Sequence, residues 1–266
     1  AQTDPHQLVL TRPTATVATE RLYALWILDA LKTLAEAVGA KRVAYPEIDV
    51  SKEPVEQRWS AEELLSAIAE AIGADLRFPN PYADEVGLPT SRGIVGFRAA
   101  QSLYQAWRIR ELAGQRSGFR VLEIGAGLGR TAYFAAQLGL RDYTIIDIPL
   151  TNAAQAYFLG RTLGDDQVQM HGESEPRPVR VLPPTSGALT ERYDLVVNID
   201  SLPEMSEDVA RTYWEFAKAN ARQFLSINHE FNPVTVRSIY RGEPGITVSR
   251  HPYWLRRGYV EELITF

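Results

Sequence analysis

The apolar residues change their period near residue 118. Upstream they recur every three or four positions, as on one face of a helix. Over 19–38, Leu28, Leu31, Ala35 and Val38 share such a face, and Gly39 follows as a stop. In Ser60-Ala-Glu-Glu63 the serine is spaced to accept from the third helical N–H while the glutamate reaches back. Leu64, Ile68 and Ile72 then repeat every four residues up to Gly73, so the spacing predicts a helix that ends there. The stretch 76–96, LRFPNPYADEVGLPTSRGIVG, is crowded with Pro, Gly and Asn and predicts an irregular loop lying over a site. A helical pattern resumes over 97–113 through Leu103, Trp107 and Leu112.

Beyond Gly118 the runs RVLEIG, DYTIID, VQMHG, YDLVVN and FLSIN are short and β-rich, with stretches of helical composition between them. That alternation predicts parallel strands joined by crossover helices. The unbroken apolar run Leu195-Val-Val197 fits a strand buried on both faces. The closing ITVSRHPYWLRRGYVEELITF has room for two strands and no helix, which predicts an antiparallel hairpin at the sheet edge. The expected division is an N-terminal helical region with its covering loop over 1–117, and an α/β domain over 118–266.

Bulk properties then narrow the chemistry. A net charge of -5 argues against a phosphate backbone as the main partner, so no nucleic acid is expected. No apolar run approaches the roughly 20 residues that span a bilayer, and AQTDPHQLVL lacks a basic start followed by an apolar stretch; a cytoplasmic protein without a membrane partner is expected. Cysteine is absent, which removes thiolate nucleophiles, disulfides and cysteine-ligated zinc. The histidines at 6, 171, 229 and 251 are too scattered for a metal motif.

VLEIGAGLG carries the strongest chemical signal. Glycines after a strand let the backbone approach a ligand, and the following helix offers unpaired N–H groups. Gly125, Gly127 and Gly129 are spaced GxGxG rather than the GxGxxG of dinucleotide binders, and Arg130 stands where the third glycine would be. Asp147 closes the next strand, where a carboxylate can accept from both hydroxyls of a ribose.

Glu123-Ile-Gly125-Ala-Gly127-Leu-Gly129 with an acidic residue ending the next strand resembles the class I S-adenosylmethionine-dependent methyltransferases, over roughly residues 118 to 266. The resemblance implies an α/β, Rossmann-like, seven-stranded, mostly parallel sheet after an N-terminal, mainly helical region. It implies S-adenosylmethionine as cofactor. Gly125, Gly127 and Gly129 would wrap its amino-acid part, with Glu123 supporting the loop. Asp147 would hold the ribose, Ile148 would face the adenine, Glu173 would lie near the adenine, and Asn198 would lie beside the methionine end. Asp147-Ile-Pro149 and Pro203-Glu204-Met205 are also similar to a family described as putative sugar O-methyltransferases. That likeness implies a small-molecule sugar or glycosylated acceptor. An NAD(P)-dependent oxidoreductase and a non-catalytic S-adenosylmethionine-binding protein are the competing readings.

A hydroxyl acceptor loses its proton during transfer, so a base belongs near it. His229, after FLSIN, is the first candidate because an imidazole titrates near neutral pH. Glu230 and Asp200 are alternatives, as bases or as groups that orient the histidine. Asp200, Glu204 and Glu230 offer oxygen ligands for magnesium, but no spacing motif supports a metal and none is expected. Arg92, Tyr104 and Tyr253 are candidate substrate contacts, with Arg108, Trp254 and the anion-binding fork Arg250 beside them.

Overall fold

The computed structural model describes residues 17–42, 59–82 and 85–266. Its contacts divide the chain into two units, Ala1–Tyr104 and Gln105–Phe266. No helix among the described residues is long and apolar enough to cross a membrane.

In the first unit, helix α1 (Val17–Ala37) buries Ile27, Ala30, Leu31, Leu34 and Ala35. The face is turned slightly from the expected one: Leu28 and Val38 sit at its margin, half-buried. Helix α2 (Ala61–Ile72) starts as its spacing predicts, with Ser60 Oγ accepting from Glu63 N–H at 3.3 Å and Glu63 accepting from Ser60 N–H at 2.8 Å. It ends at Gly73, whose φ of 69° lets its N–H bond back to Ala69. Strands β1 (Leu88–Thr90) and β2 (Gly93–Val95) replace the irregular loop expected over 76–96 with an antiparallel hairpin. The turn is tied by Thr90, whose hydroxyl donates to Gly93 O at 2.7 Å and accepts from Arg92 N–H. Phe78 then bonds across it, donating to Arg92 O and accepting from Ile94 N–H. Only glycine fits at 93, since a Cβ there would lie 2.0 Å from Phe78 O.

Helix α3 (Phe97–Ala113) runs through the division between the units. After it, the second unit builds β3 (Arg120–Ile124), α4 (Arg130–Gln137), β4 (Asp142–Ile146), α5 (Pro149–Leu163), β5 (Val168–Met170), β6 (Val179–Leu182), β7 (Tyr193–Ile199), α6 (Glu207–Asn220), β8 (Ala221–His229), α7 (Val236–Tyr240), β9 (Thr247–Pro252) and β10 (Tyr259–Thr265). The strands form one sheet in the order β5-β6-β4-β3-β7-β8-β10-β9. Pairings are parallel from β5 to β8, and β10 is antiparallel to both β8 and β9. This is the Rossmann-like, mostly parallel α/β sheet expected, with eight strands instead of seven.

The extra strand corrects the reading of VQMHG. The strand beside β4 is β6, Val179–Leu182, and VQM forms an outer edge strand. Val179 and Val181 are fully buried, while Arg180 between them is satisfied by Glu191 at 2.9 Å and Thr144 Oγ1 at 3.0 Å. The final hairpin forms as expected, with β10 inside it and β9 on the edge.

The sheet order locates the place for a ligand. From β3 the chain builds outward through β4 and β6, then crosses to β7 on the other side of β3. The reversal leaves a crevice at the carboxyl ends of β3 and β7, where open α/β sheets take their ligands.

Candidate functional site

One side of the crevice is the glycine loop that follows β3. Gly125, Gly127 and Gly129 take φ values of 73°, 57° and 80°, which admit other residues only with strain. Gly125 N–H bonds Ile146 O at 2.9 Å, fixing the loop to the end of β4. A Cβ at Gly125 would lie 2.3 Å from Ser201 Oγ, whereas one at Gly127 would meet nothing within 4 Å. The loop is therefore closed toward β7 at Gly125 and open at Gly127.

Asp147, at the end of β4, faces this loop. Its Oδ1 accepts from Ile148 N–H at 2.9 Å and its Oδ2 from Gln155 Nε2 at 2.8 Å. The same Gln155 nitrogen donates to Gly127 O at 2.8 Å, so one buried amide holds carboxylate and glycine loop in fixed relation. Asn152 Nδ2 in turn donates to Gln155 Oε1 at 3.0 Å. Partial burial raises the Asp147 pKa, and these hydrogen bonds oppose the shift. Ile148 is 60% exposed and Leu150 82% exposed beside it, an apolar surface left open next to the carboxylate. Gln155 is missing from the sequence reading. Its signal is its place two turns into the helix that Pro149 starts, on the side facing back to Asp147.

Glu123 lies beneath the loop, fully enclosed, and accepts from Tyr143 Oη at 2.8 Å. Burial pushes its pKa up to about 7, against the pull of that hydrogen bond, and Asp147 adds a smaller upward push. The folded chain thus holds a proton that an unfolded glutamate, ionising at about 4.3, has released. This contribution to stability is complete below about pH 4.3 and is lost as pH rises toward 7, roughly 4 kcal/mol across the window. Glu123→Gln keeps an acceptor for Tyr143 and cannot ionise. Its melting temperature relative to wild type is expected to rise between about pH 5 and about pH 8. An equal pH response in both proteins would show that Glu123 is charged throughout.

Across the crevice, Asn198, Ser201, Ser226 and Asn228 form a polar network. Asn198 Nδ2 donates to Ile124 O at 2.9 Å and to Ser201 Oγ at 2.7 Å, while its Oδ1 accepts from Leu202 N–H and Asn228 Nδ2. Asn228 also donates to Ser226 Oγ and accepts from Ser201 N–H. Asn198 lies near the end of β7, with both ends of its amide engaged in holding the loop after β7 against β3.

Beyond that network lie the candidates for proton chemistry. Asp200 has a φ of 57°, and its carboxylate accepts from Arg256 Nη1 at 2.9 Å and from the Tyr259 hydroxyl. His229 ends β8, paired with Tyr259, with its Nδ1 accepting from Phe231 N–H at 3.3 Å. Asp200, Glu204 and His229 present donor atoms within 4.8 Å of one another. Glu230 does not join them. Its carboxylate is bound to Arg250 at 2.6 Å, and Arg250 is held by Glu262 on its other nitrogen, which also removes it as an anion fork.

The remaining candidates are engaged elsewhere. Glu173 caps the turn after the edge strand, accepting from Met170 N–H at 2.8 Å, and β6 separates that strand from Asp147's. Arg92 is held by Asp75 at 3.1 Å and by Leu76 O. Tyr104 and Tyr253 are buried, at 4% and 3% exposure. Arg108 pairs with Glu261 at 2.8 Å. Trp254, by contrast, is 63% exposed and stacks on His251.

No protein-family model matches the chain, and no curated protein does. Among solved structures, the glycopeptide N-methyltransferase MtfA complexed with sinefungin is similar at 16% identity over 62% of this chain and 94% of that one, with a TM-score of 0.47. A putative RNA methyltransferase, PH1948 from Pyrococcus horikoshii, is similar at 19% identity over 75% and 94%, with a TM-score of 0.43. Magnesium protoporphyrin IX methyltransferase (ChlM) from Synechocystis PCC 6803 with bound SAH is similar at 15% identity over 64% and 84%, with a TM-score of 0.47. At these identities and scores the likeness assigns no activity to this chain.

Proposed function

We propose that the protein is an S-adenosylmethionine-dependent O-methyltransferase acting on a hydroxyl of a sugar or sugar-containing small molecule, with residues 118–266 as its donor-binding domain. The observation that carries this reading is the pairing of Asp147 with an open glycine loop at the switch point, fixed by the single amide of Gln155. Asp147 keeps lone pairs for the two ribose hydroxyls, and the exposed Ile148 offers a flat apolar contact for adenine. Gly125, Gly127 and Gly129 lie where the amino-acid end of the donor needs close backbone approach. Beneath them Glu123 supports the loop through β3.

Methyl transfer from a sulfonium is an in-line displacement, so alignment of the acceptor supplies much of the rate. The oxygen attacks the methyl carbon, the carbon–sulfur bond breaks toward sulfur, and the hydroxyl proton passes to the protein or solvent. The Asp200–Glu204–His229 cluster, in the loop after β7 and at the end of β8, is the place assigned to that proton. Trp254 presents an open ring face of the kind that stacks on sugars.

Calorimetric titration of the purified chain with S-adenosylhomocysteine and separately with NAD tests the donor. Micromolar binding of S-adenosylhomocysteine is expected, without NAD binding at similar concentration. Binding of NAD alone would replace this reading by the oxidoreductase one.

A further inference from the structure

The loop after β7 and the end of β8 set two carboxylates beside an imidazole. Asp200, Glu204 and His229 each offer one donor atom, and all three atoms lie within 4.8 Å of one another. An octahedral ion with ligands at about 2.1 Å holds neighbouring donors roughly 3 Å apart and opposite ones roughly 4.2 Å apart. Small side-chain movements therefore bring the three onto one ion.

The cluster differs from a chance gathering of surface acids in three respects. Its donors are of two kinds, and the nitrogen comes from a strand end fixed by the β8–β10 pairing, His229 opposite Tyr259. Asp200 is already oriented by Arg256 and Tyr259, hydrogen bonds of the sort that aim a ligating carboxylate. Glu204, exposed, has no hydrogen bond or ion pair to its carboxylate among the described residues, although a second carboxylate lies beside it. The cluster sets two carboxylates beside the imidazole, with Glu204 exposed and the Arg256 guanidinium paired to Asp200 at 2.9 Å.

We propose that Asp200, Glu204 and His229 bind a divalent first-row transition cation of the manganese type, with the remaining positions open to solvent or acceptor. Magnesium and calcium prefer all-oxygen sets, and the imidazole shifts preference toward manganese and its neighbours. Binding of the ion stands on this geometry alone. Its use rests on the methyl-transfer reading: an acceptor hydroxyl at an open position gives up its proton more readily, and His229 acts as ligand.

The test is a titration of the full chain with manganese chloride, without donor or acceptor, followed by electron paramagnetic resonance of the free ion. One ion per chain is expected. Its affinity should fall at least about tenfold in His229→Ala and in Glu204→Gln, the latter an exposed, isosteric change. Absence of saturable binding, or equal binding by both variants and wild type, overturns the site. Magnesium chloride binding as tightly as manganese in a parallel titration overturns the role given to the imidazole. S-adenosylhomocysteine titrated into the same samples reports on the donor separately, so its failure with manganese binding intact leaves this site standing.

Discussion

Replacing Asp147 by alanine is expected to weaken S-adenosylhomocysteine binding by on the order of 100-fold, about 3 kcal/mol, from two charged hydrogen bonds. In the proposed complex the carboxylate accepts from both ribose hydroxyls while Ile148 N–H and Gln155 keep it aimed. Alanine removes the acceptors and also leaves the Gln155 nitrogen with only Gly127 O, so the loop loses one of its ties. Calorimetry on the variant checks this, with melting temperature as the control for folding. An affinity within about twofold of wild type would place the ribose elsewhere.

The second large effect is expected at His229. Alanine there should lower the methyl-transfer rate by roughly 100- to 10,000-fold, the range for losing proton chemistry at a reacting group. Donor affinity should stay within about twofold, because β7 separates the end of β8 from the glycine loop. The comparison is single-turnover transfer to a sugar acceptor against S-adenosylhomocysteine titration of the same protein. A rate close to wild type would show that neither His229 nor an ion it holds helps the acceptor hydroxyl to give up its proton. Glu230→Gln is expected to cost less, since that carboxylate is held by Arg250 rather than facing the cluster.

The contrast between these neighbours shows where the sequence is legible. FLSINHEF marks a strand end bearing titratable groups, but β8 stops at His229 and Glu230 lies just past it, so the period of the strand does not say where Glu230 goes. In the fold His229 lies against Tyr259 and near Asp200, while Glu230 is bound to Arg250, which Glu262 also holds. Glu204 reaches the cluster instead, from a short helical turn, Leu202–Glu204, whose path follows from the network around Asn198. That network depends on contacts between strands far apart in the chain.

Local signals translate more directly. The capping box at Ser60, the stop at Gly73 and the glycine turn after β3 are set by backbone chemistry within a few residues, and each appears where its spacing predicts. Strand β6 escapes notice because Arg180 and the flanking prolines hide two buried valines; only Glu191 and Thr144, brought in by the fold, make an arginine acceptable there. The same dependence on the fold explains Arg92, which reads as a substrate contact in a loop and is instead bound to Asp75.

Ser201 fills the space that a side chain at Gly125 would take, and its hydroxyl bonds Ile124 O at 3.1 Å. The two walls of the crevice are thus interlocked rather than merely adjacent. A descendant of this chain that changed its acceptor by rebuilding 198–201 would disturb the grip on its methyl donor in the same step. Variation aimed at new acceptors has more freedom at Glu204, Phe231 and Trp254, which stand open to solvent at the rim.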